Sequence, residues 1–153
     1  KHLDTLLLAL HEAVDRLHGT PVYDRICLLQ SLRGVGFPSA VVLMAEMGDF
    51  DLFFFPKEAY AYFGLDPAVK QSGKLNGDKV HMSKRGSSLA RRVLHMVALN
   101  NLKVDKGTKR PSIRLFTTIT PANVQQKKDV AVGAVMHKIC NIIFAMLRDN
   151  KPF

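Results

Sequence analysis

Leu29-Gln30-Ser31-Leu32-Arg33-Gly34-Val35-Gly36-Phe37-Pro38-Ser39-Ala40 is the stretch on which the fold turns. A helical pattern over 22–32 runs into Gly-Val-Gly, and Pro38 then suits the first turn of a new helix over 38–47. Two glycines permit a turn that Cβ atoms would block. Val35 between them is placed to plug that turn into a core. The result has the form of a helix-hairpin-helix. In that form Gly34, Gly36 and the adjacent Arg33 bring backbone N–H groups and a cation to a phosphate, holding a nucleic-acid backbone without reading its sequence. The plainer alternative is a tight turn between two core helices.

Outward from this point the pattern stays helical. Upstream, Leu3, Leu7, Leu10, Val14 and Leu17 recur at heptad spacing in a helix over 2–18, which Gly19 and Pro21 end. That helix is either amphipathic and laid on the core or the tail of a coiled coil. Downstream, Gly48 and Asp49 close the third helix, and Pro56 opens a short one over 56–63 that Gly64 caps. Residues 65–86 lack a period, and Asn76-Gly77 is a turn signal around which short strands can pair. Ser87 is a plausible N-cap for a helix running to about 102. Residues 103–112 read as a basic loop, with a short helix after Pro111. A last helix over 127–149 carries Val132, Val135, Met136, Ile139, Ile142, Ile143, Ala145 and Met146, a broad apolar face suited to the centre of a bundle. The fold class expected is mainly α: a helical domain over 21–153 containing the hairpin motif and an irregular basic loop. Residues 1–20 form the end of a coiled-coil or linker helix.

The chain has 153 residues, 47% of them hydrophobic, enough for one sizeable core. Its formal net charge of +9 favours a polyanionic partner, nucleic acid before an anionic membrane. No apolar run approaches the roughly 18 residues of a membrane span, and no leader opens the chain, so a cytoplasmic protein is expected. Cys27 and Cys140 sit in apolar stretches and read as reduced core residues. The chain starts at Lys1 inside a helical pattern without an initiator Met, so an N-terminal part is expected to precede it.

The charge is unevenly spread. Between residues 70 and 92, Lys70, Lys74, Lys79, Lys84, Arg85, Arg91 and Arg92 face a single acid, Asp78. Cations at this density, with Gly73 among them, suit a loop that wraps a nucleic-acid backbone. The alternative is a solvated surface loop. Within it Gln71-Ser72-Gly73-Lys74 sets a serine hydroxyl beside cations that could neutralise the charge developing during attack on a phosphodiester. Alone this is a weak signal, since Ser-Gly is a common turn. The histidines make no metal set: His11 and His18 lie seven residues apart on one helix face, and His137 with Cys140 lies in an apolar helix. Glu46, Asp49 and Asp51 end a helix and its loop, where solvation accounts for them. Met44, Met47 and Met136 read as core filler.

Taken in order, these segments resemble the C-terminal transposase domain of the insertion-sequence-one-ten (with one-sixteen and nine-hundred-two) family of bacterial transposases. The resemblance is carried by Gly34-Val35-Gly36 with Ala40, Ala45-Glu46-Met47-Gly48-Asp49 and Phe53. It continues through Ala61-Tyr62-Phe63-Gly64-Leu65-Asp66-Pro67, Gln71-Ser72-Gly73, Ser83-Lys84-Arg85-Gly86 and Arg91-Arg92, and closes on the helix from Ala131 to Leu147. It implies a DNA transposase or site-specific recombinase in which this part supplies a serine nucleophile, carried here onto Ser72 with Ser83 as fallback. It implies a resolvase-like N-terminal domain whose acids bind Mg²⁺, a coiled coil joining the two domains, a homo-oligomer, and a structured guide RNA. No metal is expected in this chain, which alone should not cut DNA. The chain departs from the family pattern at Ser87, usually Asn, at Ala90, usually Leu, and over 117–126, which leaves local helix boundaries open. The competing reading is a non-catalytic helix-hairpin-helix nucleic-acid-binding module in which Ser72 is a turn residue.

Overall fold

A computed structural model describes residues 2–67, 71–72, 75–76, 82–102 and 128–153; at 71, 72, 75, 76 and 128–131 it describes the backbone. Among these residues are six α-helices: α1 (His2–Asp15), α2 (Pro21–Gln30), α3 (Phe37–Met47), α4 (Pro56–Tyr62), α5 (Ser88–Leu102) and α6 (Lys128–Asp149). A 3₁₀ turn (Phe50–Leu52) joins α3 to α4, and a two-stranded antiparallel pair, β1 (Gln71–Ser72) with β2 (Leu75–Asn76), lies between α4 and α5. The expected mainly helical class is what the chain adopts. The short helix expected after Pro111 and the loop over 103–112 lie outside the described residues.

The helix ends follow local chemistry. The Thr20 hydroxyl accepts from the Tyr23 N–H, and Pro21 occupies the first turn of α2, where a missing N–H costs nothing. Asp49 accepts from the Asp51 N–H and starts the 3₁₀ turn. At α4 the side chain of Glu58 reaches back to the N–H groups of Phe54 (2.7 Å) and Phe55 (3.2 Å). Ser87 caps α5 by accepting from the Ala90 N–H at 3.1 Å. The departure from the family pattern at Ser87 therefore leaves a competent cap.

α6 is central. It packs against α2, α4 and α5, and Val135, Met136, Ile139, Ile143, Met146 and Leu147 are buried there. From the other side come Leu29 and Leu32 of the α2 end, Leu43, Met44 and Met47 of α3, and Leu94, Val97 and Ala98 of α5. These apolar surfaces leave water together, which is the main favourable contribution to the fold. Phe50 of the 3₁₀ turn meets Phe144 of α6 at 5.3 Å between ring centres.

Two expectations need amendment. Cys27 is exposed, and only Cys140 is in the core. α2 buries Ile26 and Leu29, and a step of roughly 100° per residue carries Cys27 off that face. The α-helical part of the N-terminal seam ends at Asp15 and gives way to turns. Along it Val14 is buried, Leu7 and Leu10 are half-buried, and Leu3 is exposed. The helix docks at its C-terminal end on α3, where His11 stacks flat on Phe37 at 3.8 Å.

Candidate nucleic-acid interface

The turn between α2 and α3 is built as the Gly-Val-Gly pattern suggests, but its two glycines do different things. Gly34 has φ +89°, a conformation that L side chains rarely adopt. A Cβ there would also sit 2.8 Å from the Asn101 amide nitrogen. Val35 is buried between them. Gly36 has φ −86°, and a Cβ on it would meet nothing nearer than Pro38 at 3.9 Å. Gly36 is exposed and caps α3 without a side-chain acceptor. The open end of α3 is thus unobstructed, while Gly34 is required by packing on α5. Asn101, buried near the end of α5, holds the turn: its amide donates to the carbonyls of Arg33 and Val97, both at 2.8 Å.

A second backbone crossing organises the basic segment. Gly64 ends α4 at φ +68°, and Gly86 lies against it so closely that a Cβ on Gly86 would fall 1.8 Å from the Tyr62 carbonyl oxygen. Lys84, itself at φ +56°, donates its N–H to the Gly64 carbonyl at 3.0 Å. Arg91, from the first turns of α5, donates Nη1 to the carbonyls of Phe63 (3.0 Å) and Gly86 (2.6 Å). One guanidinium so ties the α4 C-terminus to the segment 83–87. Its charge also complements the carbonyl-rich end of α4. Lys84, Arg85 and Arg92 are exposed around this knot. Tyr62, Arg85, Gly86 and Ser87 line a shallow groove of about 380 Å³ beside it.

Beyond the knot two antiparallel pairings are described. Ser83 donates its N–H to the Asp66 carbonyl at 2.8 Å and its hydroxyl to the Asp66 carboxylate. Pro67 and Met82 pair as an antiparallel bridge. Further out Gln71 pairs with Asn76 and Ser72 with Leu75. Asn76 is therefore a paired strand residue, and its neighbour Gly77 in the expected turn lies outside the described residues. Ser72 is the last residue of its strand. Lys70, Gly73, Lys74 and Lys79 lie outside the described residues.

The two sequence-predicted elements do not form one cluster. Asn101 holds the Gly34 turn at one end of α5, and Ser87 and Arg91 hold the basic knot at the other. At 1.5 Å per helical residue, roughly 20 Å of α5 separates them. That spans about six base pairs of a duplex at roughly 3.4 Å each. Two residues that organise these elements, Asn101 and Asp66, carry no signal of that role in the sequence, because their partners are remote along the chain.

The carboxylates near these elements are engaged. Asp49 and Glu58 cap helices, Asp51 pairs with Arg25 at 2.7 Å, and Asp66 holds Ser83. Among the described residues no three His, Cys, Asp or Glu side chains converge as a metal site would need. No helix among them is long and apolar enough to cross a membrane.

Comparison with known proteins places this arrangement. The family model described as "Transposase IS116/IS110/IS902 family" matches residues 27–112, from α2 through both crossings and past the end of α5. The chain is 26% identical, over 94% of its length, to the "Pilin gene-inverting protein" of Moraxella bovis, of which it covers 43%. The protein of the same description from Moraxella lacunata matches to the same extent. It is 28% identical over 80% of its length to "Insertion element IS110 uncharacterized 43.6 kDa protein" of Streptomyces coelicolor, covering 29% of that protein. The chain spans less than half the length of these relatives.

Proposed function

The chain belongs to the IS116/IS110/IS902 transposase family, and from that premise we propose that it is the DNA-acting part of a serine-dependent transposase or site-specific recombinase, with Ser72 as nucleophile. The observation that supports this reading is the placing of Ser72 at the end of a strand paired with its return strand, in the same basic segment as the exposed Lys84, Arg85 and Arg92. The Ser72 oxygen forms a bond to a backbone phosphorus, and the bond from that phosphorus to a sugar oxygen breaks. The departing sugar hydroxyl ends with a proton equivalent to the one serine gives up. Attack on the phosphoserine by the hydroxyl of another strand reverses these bond changes and completes an exchange. One ester replaces another at each step, so no energy-rich cofactor is consumed. The exposed cations position the phosphate and offset its developing charge. Arg91 takes a different part, since its Nη1 is committed to two carbonyls; it shapes the root that carries the other cations.

The Mg²⁺ implied by the resemblance does not fit the carboxylates described in this chain, because each of those near the interface already serves as a cap or a partner. A metal site belongs to the N-terminal domain proposed to precede this one, and no step here runs through it. The half-open seam of α1 supports assembly with a second copy through a coiled coil. A structured guide RNA follows from the resemblance, and a site of action at the nucleoid from the DNA substrate.

A salt titration of DNA binding by this chain, run beside a gel assay for covalent adducts with the full-length protein, tests the reading. With about five phosphates neutralised, log affinity should fall with log salt at a slope near −4.5, at roughly −0.9 per contact. Replacing Lys84 and Arg85 by Ala should flatten the slope by roughly two units. Ser72→Ala should abolish the adduct in the full-length protein. Binding without the adduct in the parent protein would instead favour a helix-hairpin-helix module that only holds nucleic acid. Salt-independent binding would remove the electrostatic account.

A further inference from the structure

We infer that Asp66 and Ser83 form a positioning pair that closes the neck of the hairpin bearing Ser72, which makes Ser83 a support for the nucleophile and not an alternative to it. The inference rests on the reading of Ser72 given above. Two hydrogen bonds join the same two residues: the Ser83 N–H donates to the Asp66 carbonyl at 2.8 Å, and the Ser83 hydroxyl donates to the Asp66 carboxylate. The adjoining residues, Pro67 and Met82, pair antiparallel, and beyond them β1 and β2 pair in the same sense. On the inner side Lys84 bonds to Gly64, Gly64 and Gly86 touch, and Arg91 ties both segments to α5. The Asp66–Ser83 bond thus joins the two segments immediately beside the Pro67–Met82 bridge, on the side toward the Gly64–Gly86 crossing. A carboxylate accepting from a hydroxyl makes a charge-assisted bond, stronger than a neutral one and directional. It is partly buried, so water competes poorly for it.

The same geometry separates the two serines chemically. The proton of the Ser83 hydroxyl is directed at Asp66, and a lone carboxylate is a weak base toward an alcohol, so this bond orients and does not activate. What the pair supplies is register. The closing residues 66 and 83 decide where the two arms leave the root, and thereby where the strand ending at Ser72 stands relative to Lys84 and Arg85. Misplacing a reacting group by about an ångström can cost on the order of 100-fold in rate.

The test uses the full-length protein with a supercoiled plasmid carrying the insertion element and its flanks. It measures the rate of covalent adduct formation, the DNA dissociation constant, the melting temperature, and the adduct-bearing peptide by mass spectrometry. Asp66→Ala and Ser83→Ala should each slow the adduct roughly 10- to 100-fold. DNA affinity should stay within about twofold, because neither residue supplies a cation. The double variant should be no slower than either single one, since both remove one bond. Asp66→Asn, which keeps an acceptor, and Ser83→Thr, which keeps a hydroxyl, should recover most of the rate, with the adduct still mapping to Ser72. An adduct mapping to Ser83 would overturn the inference and the Ser72 reading together. Loss of the adduct in Ser72→Ala, with normal rates in Asp66→Ala and Ser83→Ala, would overturn the inference alone. A rate loss that vanishes once the variants are assayed well below their melting temperatures would assign the pair to stability only, and would also overturn it.

Discussion

Gly86→Ala should destabilise the chain far more than Gly36→Ala, although both glycines stand in motifs that carry the family resemblance. Gly86 is crowded. The added methyl would lie 1.8 Å from the Tyr62 carbonyl oxygen and 2.7 Å from the carbonyl carbons of Tyr62 and Phe63. These are backbone atoms, so no rotamer change relieves the overlap, and the two segments must part by more than an ångström. Parting them stretches the Arg91 bond to the Gly86 carbonyl, now 2.6 Å, and the Lys84 N–H bond to Gly64, now 3.0 Å. The first is charge-assisted and worth about 1.5–3 kcal/mol, and the second about 0.5–1.5 kcal/mol. The expected cost is therefore about 2–4 kcal/mol. For a domain of this size that lowers the melting temperature by on the order of 10 °C. At Gly36 the φ of −86° suits alanine and the methyl points into open space. Loss of a favourable N-cap residue and stiffening of the unfolded chain oppose each other there, so the change should stay within about 1 kcal/mol. The measurement is urea and thermal unfolding followed by circular dichroism at 222 nm, a wavelength where about all the signal is helical. Equal stability of Gly86→Ala and the parent chain would refute the account of the crossing, and a large loss in Gly36→Ala would refute that of the open helix end.

Two further outcomes follow from burial. The exposed Cys27 should react with a thiol reagent in the native chain, whereas Cys140, buried in α6 with its pKa pushed up to about 12, should react only on unfolding; two equally fast thiols in buffer would contradict the placing of α6. Burial also lowers the pKa of His137, whose ring lies 4.0 Å from that of Tyr60, below its ordinary 6.5. The folded chain then binds this proton less readily than the unfolded one, so the stability it confers is complete above about pH 6.5 and is lost as pH falls from there through the folded value. The drop in melting temperature between about pH 7.5 and 5 should be smaller in His137→Gln than in the parent chain, and an identical drop in both would show that His137 does not contribute.

Much of this architecture is written locally. Pro21, Pro38 and Pro56 start helices, Ser87 caps one, and Gly64 and Gly48 end others, because each acts on backbone groups within a few residues of itself. The breadth of the apolar face on α6 foretold its central place for a similar reason: a helix apolar over that much of its circumference must be covered from several sides. The family, too, was legible, since the order and spacing of short motifs survive in the chain as such. The two faces of α2 were harder, and Cys27 among apolar neighbours was misplaced by one helical step.

The tertiary structure decided what sequence patterns cannot express, namely which distant groups meet. Two cations of one basic segment, Arg91 and Arg92, are alike and adjacent in sequence, yet one is spent on the carbonyls of Phe63 and Gly86 while the other is exposed. Gly34 and Gly36 look equivalent in the motif, but only Gly34 faces Asn101 from α5. Ser83 gives no sign in the sequence of its partner, yet its hydroxyl donates to the carboxylate of Asp66, 17 residues away. Capping, helix period and turn chemistry act over a few residues, and the sequence therefore determines them by itself. The assignment of a donor to its acceptor across the core depends on how all the helices pack at once, and only the folded chain decides it.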